Sequence, residues 1–222
     1  VAASGLWKRP ITTEIAPAGK LNGTLNLASQ QGGKRLTFDL ASRAEGVTAK
    51  FGTNAMPQVR LQLQAKGQAS DLKVFTLENY RAEVVRAGNP MALVSGAGTY
   101  DKAKEQADVN ATFEAHLASL AKAIPSSKLK VSSGTVLAKL QLAQRQQAQT
   151  VAGNMVIEQL NAVLGTNIIQ SFAANVELDV QKNASRMEIR KATGTLRQGN
   201  KPGGRFGAEG SCDSERESGG VG

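Results

Sequence analysis

The chain has 222 residues, of which 41% are apolar, 20% charged and only 4% aromatic. This excludes a disordered chain and predicts one domain, or two small ones, packed with Leu, Val, Ala and Ile rather than with rings. Lys and Arg number 27 against 18 Asp and Glu, giving +9. That balance favours anionic partners without choosing between lipid headgroups and nucleic acid, and no block of five like charges marks either.

Further classes fall away on single residues. The one cysteine, Cys212, precludes an intrachain disulfide, and with the one histidine, His116, it precludes a Cys/His zinc site. No stretch approaches the 18 apolar residues of a membrane-spanning helix. The chain begins at Val1 without a basic-then-apolar secretion signal, and the missing initiator Met is expected of a fragment or a processed segment.

In chain order, the dominant signal is alternation at period 2, which marks strands with one apolar and one wet face. Leu25 and Leu27 flank Asn26; Leu36, Phe38 and Leu40 alternate with Thr37 and Asp39. Residues 59–66 are the clearest strand, with Val59, Leu61, Leu63 and Ala65 against Arg60, Gln62, Gln64 and Lys66. Val109, Ala111, Phe113 and Ala115 alternate with Asp108, Asn110, Thr112 and Glu114. Leu117, Leu120, Ala121 and Ile124 then recur at helical spacing until Pro125 stops the run. Strand pattern resumes at Val136, Ala138, Leu140 and Leu142. Ile157, Leu160 and Leu164 read as a second helix capped by Gly165, or as a strand. Val176, Leu178 and Val180 alternate with Glu177, Asp179 and Gln181. Gly32-Gly33, Gly88-Asn89-Pro90 and 199–202 supply the turns. The reading is mainly β and antiparallel, with one or two short helices.

The chain also repeats itself. Gly52-Thr53-Asn54 matches Gly165-Thr166-Asn167 at an offset of 113, and Leu25-Asn26-Leu27-Ala28 matches Leu140-Gln141-Leu142-Ala143 at 115. Downstream the offset is 112: Phe75 pairs with Met187, Leu77 with Ile189, Val84 with Leu196, Pro90 with Pro202, Val94 with Phe206 and Asp101 with Asp213. Apolar phase is kept throughout, and a one-residue slip would invert every face. The expected organisation is a lead-in over 1–19, a β repeat over 20–101, a connecting strand and helix over 102–133, a second β repeat over 134–213, and a Gly/Ser-rich disordered tail over 214–222. A repeat that starts and stops near the chain ends is expected to have further copies in a parent protein.

The order of residues 92–101 (Ala-Leu-Val-Ser-Gly-Ala-Gly-Thr-Tyr-Asp), residues 107–113, the Leu117–Pro125 helix and Leu129-Lys-Val-Ser-Ser-Gly134 resembles the repeating unit of AsmA-like proteins, including the TamB and YhdP types. The second copy, 203–213, resembles the same glycine–aspartate turn but carries Cys212 where the first carries Tyr100. The resemblance covers about 190 residues and rests on glycine turns and alternation, with no catalytic signature. It implies an elongated, curved antiparallel sheet forming an apolar β-groove, in a periplasmic part of an inner-membrane-anchored bacterial envelope protein. It implies a non-enzymatic role in lipid transport between membranes or outer-membrane assembly. The implied partners are phospholipid or another acyl lipid, further repeats of the parent and envelope assembly proteins, with no nucleic acid, cofactor or metal.

The groove-lining residues expected on this reading are Leu25, Leu27, Leu36, Phe38, Leu40, Val59, Leu61, Leu63, Val109, Phe113, Leu140, Leu142, Val176, Leu178 and Val180. The alternative is a structural or adhesive β module in which the same residues fill a closed core. His116, beside Glu114, lacks a marked nucleophile and reads as a surface or helix-start residue. Cys212 reads as incidental, Gly96-Ala-Gly98 as a turn or bulge, and Tyr80, Arg81 and Arg86 carry no nucleic-acid signature. Asn22-Gly-Thr24, Asn110-Ala-Thr112 and Asn183-Ala-Ser185 are formal sequons of the kind that arise by chance.

Overall fold

Period-2 alternation puts successive side chains on opposite faces, and the sheet gathers every alternating segment into one layer. The computed structural model describes residues 19–51, 54–123, 129–183 and 186–213. The strands are β1 (Lys20–Gln30), β2 (Arg35–Phe51), β3 (Asn54–Ser70), β4 (Val74–Arg86), β5 (Asn89–Asp101) and β6 (Gln106–His116). After the helix α1 (Leu117–Ala123) come β7 (Leu129–Arg145), β8 (Ala148–Leu164), β9 (Asn167–Asn183), β10 (Arg186–Gln198) and β11 (Lys201–Asp213). They form one antiparallel sheet in chain order, each strand bonded to its sequence neighbours. The sheet is curved and does not close, so β1 and β11 are its free edges. The closed-core arrangement is therefore not what the described residues form.

Tight turns make this meander possible. Ala87 and Gly88, between β4 and β5, both take positive φ (48° and 82°), the left-handed pair whose twist matches a two-residue hairpin. The described turns follow the same economy, apart from a single 3-10 turn at Gln31–Gly33. The lead-in up to residue 18, Ile124 and Pro125, Gly52-Thr53, Ala184-Ser185 and the tail from 214 lie outside the described residues.

The helical reading of 157–164 is corrected: the segment ends strand β8. A β-bulge explains the misleading spacing. The register of β8 against β9 shifts between Ile157 and Leu160, and Gln159 there has φ 49°. One inserted residue turns a same-face step of two into a step of three, which mimics a helix turn. Gly165 lies in the following turn, with φ 61°, and caps nothing helical.

Pairing repeats along the chain. Ala44↔Leu61 in β2–β3 becomes Ile157↔Ala174 in β8–β9, a shift of 113 on both sides. Leu25↔Leu40 in β1–β2 becomes Leu140↔Gly153 in β7–β8, shifted by 115 and 113. The bulges recur with it. The shift between Leu77 and Tyr80 in β4–β5 returns between Ile189 and Ala192 in β10–β11, and that between Val84 and Val85 returns between Leu196 and Arg197.

Burial is sparse. The buried cluster is Val59, Met91 and Ala123, with Val47, Val84 and Leu120 packed against it. Met91 is the one large side chain fully buried among the described residues. The cluster lies where α1 folds back over β5, β6 and β7. The Arg86 guanidinium donates to the Lys122 carbonyl at 3.1 Å, satisfying a group in the helix's last turn.

Candidate functional site

Paired residues in an antiparallel sheet share a face, so the register can be followed from edge to edge. One row runs Leu25–Leu40–Ala65–Tyr80–Gly96–Ala111–Leu140–Gly153–Leu178–Ala192–Ala208. Its neighbours run Leu27–Phe38–Gly67–Leu77–Gly98–Val109–Leu142–Val151–Val180–Ile189–Gly210 and Gly23–Ser42–Leu63–Ala82–Val94–Phe113–Ala138–Met155–Val176–Gly194–Phe206. These three rows cross all eleven strands without a charged residue.

No second layer covers this face beyond α1. Leu61 and Leu63 are each 38% exposed, Leu142 39% and Leu178 37%. Leu36 is similarly open, and Leu25 and Leu27 near the edge are more so. Phe38, Leu40, Val109, Phe113, Leu140, Val176 and Val180 are half-buried by their neighbours in the sheet. The structure thus brings the expected lining residues onto one surface, with one departure. Val59 is 2% exposed, because it lies in the cluster under α1 and is closed off from that surface.

An uncovered apolar sheet keeps its large side chains flat by pairing them with glycine. A Cβ on Gly67 would meet the Phe38 ring at 2.8 Å, and one on Gly153 would meet Leu140 at 2.9 Å. Phe206 lies over Gly194 in the same way. Each ring or branched chain covers the next strand's backbone where a side chain is missing.

The opposite face is wet. Its matching row reads Thr24–Ala41–Gln64–Arg81–Ser95–Thr112–Lys139–Asn154–Glu177–Thr193–Gly207. Ion pairs sit there, including Arg81–Glu83 at 3.2 Å and Lys191–Glu177. Hydrogen bonding to the Glu177 carboxylate raises the Lys191 ammonium above its ordinary range. Asp179 accepts from Arg190 at 2.6 Å. Polar atoms also appear at one margin of the apolar face, where Tyr100–Ala107–Gln144–Gln149–Lys182 align.

Several members of the surface escaped sequence reasoning. Phe75, Leu77, Val94, Met187, Ile189, Leu196 and Phe206 share the face, and repeat matching had paired them without assigning them to the lining. In β8, Val151 and Met155 were hidden by the helical reading. The signal that finds them is the offset of 112–113 applied to residues already placed.

His116 lies on the wet face, with its Nε2 3.8 Å from Glu114 Oε1 and both side chains well exposed. Tyr80 joins the apolar face while Arg81 points to the other, so the two do not form one patch. Cys212 is an exposed thiol opposite Met187. Gly96-Ala-Gly98 lies within β5 rather than in a turn, and its glycines admit Asn110 and Val109 of β6 closely. No group of three or more His, Cys, Asp or Glu able to hold a metal occurs among the described residues, and no helix there is long and apolar enough to cross a membrane.

No family model, curated protein or solved structure matches the chain.

Proposed function

We propose that the sheet is a non-enzymatic lipid-holding β-groove, a segment of an AsmA-like bacterial envelope protein acting in lipid transport between membranes or in outer-membrane assembly. The observation that carries this reading is the uncharged apolar surface running unbroken across eleven strands while remaining exposed. Soluble monomers rarely leave so large a patch uncovered unless something binds there.

The energetics suit an acyl chain. At about 0.8 kcal/mol per buried CH₂, a 16-carbon tail exposed to water costs on the order of 12 kcal/mol. A strip of Leu, Val and Phe spares much of that cost at every position, and flat side chains leave no deep pocket to trap the chain. Recognition by fixed polar groups is absent from the three central rows, which suits a surface along which a tail slides. In this reading the segment works in the periplasm, within an inner-membrane-anchored parent and beside further repeats and envelope assembly proteins.

A photo-crosslinker tests it directly. Placed at Leu63, on the apolar face, it is expected to capture phospholipid in cells; placed at Gln62, on the wet face, it is not. Equal capture at both positions, or none at Leu63, overturns the reading and favours a structural module.

A further inference from the structure

The two free edges of the sheet differ. β11 contains Pro202, Gly203, Gly204, Arg205 and Glu209, and its pairing with β10 is interrupted twice. Proline, charge and irregular pairing are the usual protections of an exposed edge. β1 has none of them after Lys20: it pairs with β2 over eleven consecutive residues, with no bulge, Pro or charge. Leu21, Leu25 and Leu27 stand 75%, 57% and 71% exposed along it.

The molecule itself contains the complement of this edge. The counterpart of β1, at an offset of 115, is the stretch from Thr135 to Arg145 in β7, and β6 pairs with that stretch residue for residue. Transferred to β1, a β6-like strand spans Lys20 to Gln30 antiparallel. Its alanines fall opposite Leu21 and Leu25, its valine opposite Leu27 and its phenylalanine opposite Gly23. Large meets small along the row. An aromatic opposite glycine resembles the pairing already seen for Phe38 with Gly67 and Phe206 with Gly194.

We propose that the outer edge of β1 is a β-augmentation site for an extended eleven-residue segment of another polypeptide. That segment carries small apolar residues and one aromatic on the apolar face, and polar residues on the other. Backbone hydrogen bonds supply the affinity, and the alternation supplies the phase. The added strand continues the apolar surface by one step.

The test uses the full 222-residue chain. A synthetic peptide of residues 106–116 is added, and hydrogen exchange is followed by mass spectrometry. The expected result is slowed exchange over residues 20–30, with β11 unchanged. A peptide of the same composition with its alternation shifted by one residue is expected to bind at least about tenfold more weakly. Replacing the peptide's Phe by Ala weakens binding while leaving the protein untouched, so no variant has to fold. Leu25→Lys on the protein abolishes β1 protection while the exchange of β3–β7 stays as in the parent. Unchanged exchange at β1 on peptide addition overturns the proposal, as do equal protection at β11, indifference to peptide phase, and β1 amides already protected on both sides before the peptide is added.

Discussion

The sheet contains the same four-strand run twice, once with a helix over it and once without. β2–β5 and β8–β11 share strand lengths of 17, 17, 13 and 13 residues and the same bulges. Under α1 lie Val47, Val59, Val84 and Met91. At the corresponding places in the second run stand Leu160, Phe172, Leu196 and Gly203, without such a helix among the described residues. The change from Met91 to Gly203 shows the logic: a side chain is kept where a helix can bury it and dropped where it would stand in water. Backbone pairing can reproduce a register with or without a core, whereas burial is local.

The sharpest break of this comparison is a charge on each side of it. Met91→Asp puts an unpaired carboxylate into the one dry place and is expected to cost at least about 3 kcal/mol by chemical denaturation. Leu63→Asp, on the open face, faces water and is expected to cost no more than about 1 kcal/mol while mainly obstructing lipid passage. Equal costs for the two would mean that the open face is covered in solution.

Next in size is a methyl-scale test. Gly67→Val drives a branched side chain into the Phe38 ring and is expected to destabilise by about 1–3 kcal/mol. Gly210→Val, on the same face in the second run, meets no atom within 4 Å and is expected to be tolerated. Thermal melts of the two variants decide whether packing on the uncovered face is real. Without mutation, native-state hydrogen exchange is expected to open β9–β11 at least about tenfold faster than β3–β6, because only the latter lean on a buried cluster.

The smallest effect concerns one turn. The Asp101 carboxylate accepts the backbone N–H groups of Ala103 and Lys104 at 3.0 and 3.1 Å, closing the β5–β6 turn. The backbone bond from Lys104, aided by its ammonium, holds this carboxyl below the usual carboxylate range. A depressed folded-state value means the contribution is present above the unfolded carboxylate range and is lost as pH falls through the folded one. Asp101→Asn is expected to flatten the acid limb of the stability curve slightly and leave neutral stability almost unchanged.

How much of this was legible depends on which period survives locally. In β3 the alternation from Val59 to Lys66 is clean, so strand, face and neighbours follow from it. In β8 a bulge at Gln159 disguises the strand as helix, because an extra residue shifts the phase without any mark in residue type. In β5 the glycines at 96 and 98 erase the apolar side of the pattern, although they share the face with Val94. Val59 shows the other limit. Its face was readable, but its burial depends on a helix from 58 residues later, and strand periodicity carries no trace of that fold-back. The repeat offsets travel best, because they need only constancy and no assignment of structure.

The step from β2 to β8 is six strands, an even number. In an antiparallel sheet direction alternates strand by strand, so an even step returns the chain to its starting direction and an odd one reverses it. Every turn of the second run therefore falls at the same end of the sheet as its counterpart, and every side chain keeps its face. Parity makes the 113-residue unit interchangeable in tandem: a whole unit can be copied or deleted without inverting a single strand, whereas losing one strand would send all later turns to the wrong end.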